Sequence, residues 1–95
     1  MILSLTNNPE ETFNISILNI VYSFRQLWNE NGFWTLDISD SDENILVYGV
    51  KIVAGAFLLE QYPDIPFDLK NDTEIDPSRN NLNEFIIEVF NKDAN

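Results

Sequence analysis

The chain has 95 residues, 44% of them hydrophobic, and it carries 16 acidic against 5 basic residues, a net charge of −11. This is the size and composition of one small globular domain, and its acidic balance disfavours direct binding to nucleic acid or to an anionic membrane. The chain contains no cysteine and no histidine, which excludes disulfides, thiol chemistry, the commonest metal ligand and the commonest general base.

The first half of the chain alternates apolar and polar residues with a period of two, which indicates half-buried strands. Phe13, Ile15 and Ile17 share one face of the second predicted strand. On the third predicted strand, Gln26 interrupts a face that is otherwise apolar. The three predicted strands are MILSL (residues 1–5), TFNISIL (12–18) and NIVYSFRQLW (19–28).

Two more strands follow, separated by polar turns. NENG at residues 29–32 is typical of a hairpin turn, and FWTLDIS at 33–39 alternates after it. ILVYGVKIV at residues 45–53 has few polar positions, so we expect it to be buried on both faces. Gly49 within it indicates a bulge or a tight bend. The predicted core residues of this region are Trp34, Leu36, Ile38, Ile45 and Val47.

The last third is less regular. Residues 54–62, AGAFLLEQY, fit a short helix and a strand equally well, and residues 63–81 are predicted to be a long polar loop. Ile65, Phe67, Leu69 and Ile75 in that loop favour its docking on a partner. EFIIEVF is a closing strand before a frayed NKDAN. We therefore predict one mainly all-β domain over residues 1–95, a small antiparallel barrel or sandwich of about six strands with at most one short helix.

The acidic cluster DISDSDEN admits two interpretations. Asp40, Asp42 and Asn44 match the first ligand positions of a calcium-binding loop. However, Ile45 and Lys51 occupy the positions where that loop needs glycine and a bidentate glutamate. Asp, Ser and Asn are also ordinary turn residues. The sequence therefore favours a hairpin turn, and no metal or cofactor is predicted.

Two further chemical hypotheses are weak. Phe24, Trp28, Phe33 and Trp34 could form a stacking platform for sugars or bases, but aromatic residues more often belong to cores and interfaces. An enzyme would need an acid–base pair in a cleft. Asp37 has no marked carboxylate partner in the sequence, so we predict no catalytic activity.

The order of several short motifs carries a family resemblance. They are LTNNP, R-x-x-W-N, GFWTLDISD, ILVYGVKIVAG and L-L-x-Q-Y, spread over residues 3–63. In this order the chain resembles the small baseplate plug family of contractile-tailed phages, the cyanophage-type baseplate plug domain. The resemblance implies a compact β-barrel-type domain without catalytic residues. It also implies a structural part near the tail axis that contacts hub or tail-tube proteins.

We accordingly expect a structural protein of the phage tail baseplate, assembled in the host cytoplasm and oligomeric in the particle, without nucleic-acid or membrane binding. Since aromatic residues and arginine are enriched at interface hot spots, the expected contact residues are Arg25, Trp28, Phe33, Tyr62 and Phe67. The alternative is a small acidic inhibitor or DNA mimic that binds a basic partner. Carboxylates in rows along one face would favour that alternative.

Overall fold

Seven strands and one turn of 3₁₀ helix occur in residues 1–92, the part of the chain that this computed structural model describes. Their bounds are β1 Ile2–Leu3, β2 Glu10–Ile17, β3 Ile20–Asn29, β4 Phe33–Ser39, β5 Ile45–Lys51, β6 Phe67–Lys70, the 3₁₀ helix Leu82–Glu84 and β7 Ile87–Asn91. They form a three-stranded sheet in the order β1-β7-β6 and a four-stranded sheet in the order β2-β3-β4-β5, with antiparallel neighbours throughout. The mainly β prediction is confirmed, and the architecture is sandwich-like rather than a closed barrel. None of the described residues forms a helix of the length and hydrophobicity needed to cross a membrane.

The four-stranded sheet is a meander of three hairpins. Leu18 and Asn19 alone connect β2 to β3, and both have positive φ, at 54° and 67°. This is the backbone of a type I′ turn, whose twist matches the flanking strands. Gly32, with φ 102°, closes the β3–β4 turn, and residues 40–44 close the β4–β5 turn. Both predicted turns are therefore confirmed.

The core lies between the inner faces of the two sheets. Period-two alternation places Phe24, Leu36 and Ile38 there, all 0% exposed. Phe67 of β6 faces them from the other sheet, with its ring 5.0 Å from that of Tyr22 and 6.3 Å from that of Phe24. Buried aromatic contacts of this kind supply large apolar areas, and ring pairs add about 0.5–1.5 kcal/mol each. One aromatic cluster therefore joins the two sheets.

Strand β5 corrects the prediction that it would be buried on both faces. Val47 is in the core, but Ile45 and Tyr48 are 65% and 77% exposed. The reason is topological, because β5 is an edge strand of the four-stranded sheet and covers the core with one face only. Placing Ile45 in the core was therefore wrong.

The segment between β5 and β6 is neither helix nor strand. Residues 54–62 form turns, and two of their backbone donors bond to β6. Leu58 N–H donates to the Leu69 carbonyl at 2.9 Å, and Leu59 N–H donates to the buried Asp68 carboxylate at 2.7 Å. Hydrogen bonds to β6 thus hold this segment, which forms neither a helix nor a sheet ladder.

The predicted loop at residues 63–81 contains β6, the seventh strand, so it is not a loop throughout. Ile65, Phe67 and Leu69 are buried in the protein's own core, whereas Ile75 is 78% exposed. Three of the four apolar residues that favoured docking on a partner therefore have an intramolecular role.

Gln26 is the one polar interruption that the alternation of β3 revealed, and its side chain is 0% exposed. Its amide nitrogen donates to the Thr6 and Asn8 carbonyls at 3.0 and 2.8 Å, and its carbonyl oxygen accepts from Thr6 N–H at 3.2 Å. Buried polar groups are stable when they are paired in this way. Gln26 thus fixes the segment that leads from β1 into β2.

Candidate interaction surfaces

The five expected contact residues do not form one patch. Arg25 and Phe33 lie on the outer face of the four-stranded sheet, and Trp28 lies half-buried at its end, with its ring 5.3 Å from that of Trp34. Tyr62 lies half-buried in the segment before β6. Phe67 is 0% exposed, so assigning it to a contact surface does not fit its position in the core. Arg25, Phe33 and their surroundings therefore define the first surface to consider.

The stacking platform is not formed. Phe24 and Trp34 are both 0% exposed, and the Trp34 indole N–H donates to the Ser78 carbonyl at 2.8 Å. A stacking platform must offer ring faces to a ligand. The core interpretation is therefore confirmed for these two residues.

An ion-paired cluster lies at the centre of the outer face. The register of β3 and β4 places Arg25 opposite Asp37, with Arg25 Nη1 3.9 Å from Asp37 Oδ2. Arg25 Nε also donates to the Glu10 carboxylate at 2.9 Å. The hydrogen bond with Glu10 is the main cause of an Arg25 pKa above its ordinary value. The cluster thus pairs the Arg25 guanidinium, in the middle of the sheet, with two carboxylates.

Tyr48 is displayed next to this cluster by a β-bulge. Leu36 pairs with Val50 and Ile38 with Val47, so Tyr48 and Gly49 together oppose the single residue between Leu36 and Ile38. Two residues opposite one is the definition of a bulge, and its glycine has φ 69°.

The residue opposite the bulge is Asp37, and its carboxylate accepts the Gly49 N–H at 2.7 Å. This bond holds the bulge, and Tyr48 projects beside it with 77% exposure. Gly49 predicted a bulge or a tight bend, and the bulge is confirmed, but Tyr48 was not among the predicted contact residues. The signal was the position of Tyr48 immediately before the bulge glycine.

We call the surface formed by Arg25, Phe33, Ile45, Tyr48 and Lys51 the Tyr48 face. Tyr48 separates two shallow concavities of about 230 and 410 Å³, one beside Arg25 and the other beside Phe33. Lys51 Nζ lies 5.0 Å from the Phe33 ring centroid, a cation–π contact that orders both side chains. The face thus combines one exposed aromatic ring with preordered neighbours.

Tyr62 lies on a second, adjoining surface. It lines a concavity of about 390 Å³ together with Tyr22, Leu46 and Pro63. Ile45 lines both this concavity and the one beside Arg25, so the two surfaces are continuous. Burial, followed by the nearby Asp40 charge, raises the pKa of Tyr22.

The Asp40 carboxylate of the acidic turn is satisfied by hydrogen bonds within the turn. Asp40 Oδ1 accepts the backbone N–H groups of Asp42 and Asn44 at 2.9 Å, and Oδ2 accepts from the Asn44 side chain at 3.1 Å. The described residues contain no group of three or more acidic side chains arranged to hold a metal ion. The hairpin interpretation of this cluster accounts for all three contacts.

Every cation of the chain is engaged within the molecule. Lys70 pairs with Asp72 at 3.6 Å, and Lys92 Nζ donates to the Leu59 and Tyr62 carbonyls at 2.9 Å. Arg79 donates to the Asn7 carbonyl at 2.7 Å, and Arg25 and Lys51 are held as described above. In residues 1–92 the carboxylates without an ion pair or hydrogen bond are Glu30, Asp42, Glu43, Glu60, Asp64, Glu74, Glu84 and Glu88. Each of the five cations, all in the described residues, therefore has an intramolecular partner, and negative charge is in excess.

A family model described as cyanophage baseplate Pam3 plug gp18 matches residues 1–91. This match extends well beyond residue 63, where the motif resemblance ended. No curated protein matches the sequence.

Proposed function

Because the chain belongs to the cyanophage baseplate plug family, we propose that it is a structural, non-enzymatic part of the tail baseplate, seated near the tail axis. Family membership implies a place in the tail of the virion and contacts with other baseplate components. The finer proposal is that it packs against hub or tail-tube proteins after assembly in the host cytoplasm. Its mechanism is assembly and occlusion by a rigid, preformed domain.

The observation that carries this proposal is the Tyr48 face. A tyrosine that is 77% exposed and held on a bulge beside an ordered arginine has the composition of an interface hot spot, in which Tyr, Trp and Arg predominate. Its neighbours are fixed by the Arg25–Asp37 and Lys51–Phe33 contacts, so little side-chain entropy is lost when a partner covers them. We assign the main contact with the neighbouring baseplate protein to this face.

The charge distribution supports an axial position. A net charge of −11 without a free cation in the described chain repels the phosphate backbone of DNA. A protein near the path of the genome must not retain it. The same charge favours a neighbour with a basic surface, and its contribution weakens as salt rises.

The DNA-mimic alternative is not favoured by the structure. A mimic should present its carboxylates in rows along one face, but the unpaired ones are mainly in turns and loops, such as Glu30, Glu43 and Glu74. The exceptions are Glu84, which lies in the 3₁₀ helix, and Glu88, which lies in β7.

The test is incorporation into particles. A phage lacking this gene is complemented with the wild-type chain, with Tyr48→Ala or with Ile86→Ala, and the copies per purified particle are counted by peptide mass spectrometry after salt washes. Ile86 is the matched control because it is 59% exposed but immediately precedes β7 of the other sheet. Both variants should melt like the wild type, since exposed side chains contribute little to stability.

Tyr48→Ala should reduce incorporation about thirtyfold, the equivalent of a hot spot worth about 2 kcal/mol. Equal incorporation of the two variants would exclude the Tyr48 face as the contact. Absence of the wild-type chain from particles would refute the baseplate role itself.

A further inference from the structure

Strand β2 is a long, regular sheet edge with no partner on one side. Among the described residues it pairs only with β3. The other edge strands are short or interrupted. β1 has two residues and β6 has four, while β5 is broken by the bulge at Gly49 and ends in Lys51. Proteins commonly blunt sheet edges with short strands, bulges and lysines. The eight residues of β2 carry none of these devices.

The free backbone groups of β2 follow from its hairpin. Ile17 and Ile20 flank the two-residue turn, so they form a hydrogen-bonded pair, and such pairs alternate along an antiparallel ladder. The amide and carbonyl groups of Thr12, Asn14 and Ser16 therefore point away from β3. Outside the sheet ladders, no backbone–backbone hydrogen bond in the described residues uses the groups of these three residues.

The same stretch is electrically neutral. Residues 12–24 contain no charged side chain, although the whole chain carries −11. The charged residues of β2 are Glu10 and Glu11, both at its beginning. This edge is therefore a place where a second negatively charged copy can approach without an acidic residue facing an acidic residue.

We propose that β2 pairs antiparallel with β2 of a second copy, about a twofold axis that passes through Asn14. This inference goes beyond the proposed function and does not depend on it. In this register Thr12 faces Ser16 of the second copy, and Glu10 faces Leu18 of the second copy. The two four-stranded sheets become one continuous sheet of eight strands.

The register is self-complementary on both faces. On the inner face, Phe13 pairs with Ile15 of the second copy, an aromatic–β-branched pair of the kind that stabilises sheets. Both residues are only half-buried in the single chain, although they pack against its core. On the outer face, Thr–Ser and Asn–Asn pairs can exchange hydrogen bonds. A strand of unrelated sequence would not be expected to place complementary side chains opposite these residues.

The salt dependence of self-association distinguishes this contact from binding to a basic neighbour. The edge itself is neutral, but each copy carries a net −11, so the two molecules repel each other at long range. Salt screens that repulsion, so self-association should strengthen as salt rises. Binding of an acidic protein to a basic neighbour should weaken instead.

The experiment is sedimentation equilibrium of the full chain from micromolar to millimolar concentration, at low and high salt. Asn14→Pro removes the outward N–H on the twofold axis in both copies while leaving the pairing with β3 intact. Because two symmetry-related hydrogen bonds are lost, association should weaken on the order of tenfold to a hundredfold. Circular dichroism melts of each variant verify that it folds.

Two lysine variants test the register with the same change of charge. Asn14→Lys places two like charges opposite each other on the axis and should weaken association severalfold. Ser16→Lys lies on the same exposed face of β2, diagonal to Glu10 of the second copy, and should leave association unchanged or strengthen it. Hydrogen exchange should slow at the amides of Thr12, Asn14 and Ser16 as the dimer forms.

A wild-type dimer that tightens with salt and is weakened by Asn14→Pro and Asn14→Lys but not by Ser16→Lys supports the proposal. A chain that remains monomeric under all conditions overturns it. A dimer that Asn14→Pro leaves unaffected also overturns it, because the contact then lies elsewhere. A monomeric chain that still enters particles would leave the proposed function standing, so the two failures are distinguishable.

Discussion

Replacing Gln26 by leucine should destabilise the fold strongly, although the two side chains have similar size. The Gln26 amide satisfies the Thr6 N–H, the Thr6 carbonyl and the Asn8 carbonyl, at 3.2, 3.0 and 2.8 Å. Leaving a buried backbone group unpaired costs about 1–3 kcal/mol. The contacts are part-buried, so water can recover some of this, and leucine gains apolar burial. The expected loss is about 3 kcal/mol of the free energy of unfolding.

The assay is urea unfolding followed by tryptophan fluorescence, with thermal melting as a second measurement. At about 2.1 cal/mol/K per residue, a chain of this length has an unfolding entropy near 200 cal/mol/K, so about 3 kcal/mol corresponds to a melting temperature about 15 °C lower. Gln61→Leu is the matched control, because Gln61 is exposed and should change stability by about 0.5 kcal/mol at most. Equal stability of the two variants would refute the role given to Gln26 in holding residues 6–8.

Three further predictions concern the turns. Changing Leu18 and Asn19 to Asn and Gly should raise the free energy of unfolding in urea by about 1 kcal/mol, because both positions have positive φ, which leucine disfavours; unchanged stability would argue against strain at Leu18. Nuclear magnetic resonance titration should find the Asp40 pKa below its ordinary 3.8, chiefly because of the Asn44 side-chain hydrogen bond. Because the Asp40 pKa is lower in the folded state, the ionised carboxylate stabilises the fold above the unfolded-state pKa, and this stabilisation is lost as the pH falls through the folded-state pKa. Asn44→Ala should raise the Asp40 pKa, and an unchanged pKa would contradict this cause. Calcium should leave the melting temperature unchanged, because both Asp40 oxygens already accept hydrogen bonds from the turn; a rise that saturates with calcium would show a metal site.

Strands β2 to β4 could be predicted from the sequence because each has one face in the core and one in solvent. Alternation alone then determines which side chains are buried, as for Phe24 and Leu36. Gln26 was also visible as a break in the pattern. Its three backbone partners were not, because they lie in an irregular segment with no periodicity of its own.

Burial in strands β5 and β6 could not be predicted from a period-two pattern. The apolar run of β5 has the composition of a central strand, but exposed Ile45 and Tyr48 follow from its edge position, which sequence order alone does not reveal. β6 has four residues, too few for a pattern, and its buried Asp68 looks like a loop residue. Asp68 is buried because it accepts the Leu59 and Leu69 N–H groups at 2.7 and 2.8 Å, a tertiary arrangement.

The contact residues were chosen by residue type, and type alone does not distinguish a core aromatic from a surface one. Phe67 has the composition of a hot spot but joins the two sheets from inside. Tyr48 satisfies the same type rule, but a β5 strand buried on both faces would hide it. Choosing Tyr48 requires the bulge, and therefore the pairing of β4 with β5.

Repulsion of nucleic acid and close contact with a second acidic copy are opposite electrostatic requirements, and the chain meets them on different surfaces. Its unpaired carboxylates are mainly in turns and loops, where they repel nucleic acid and attract basic neighbours at long range. Its neutral residues 12–24 form the hairpin whose edge is free for close backbone contact. Since salt weakens the first kind of contact and strengthens the second, the response to salt identifies which surface a given complex uses. The Tyr48 face offers side chains to a partner and β2 offers backbone groups, so evidence against one of these contacts leaves the other intact.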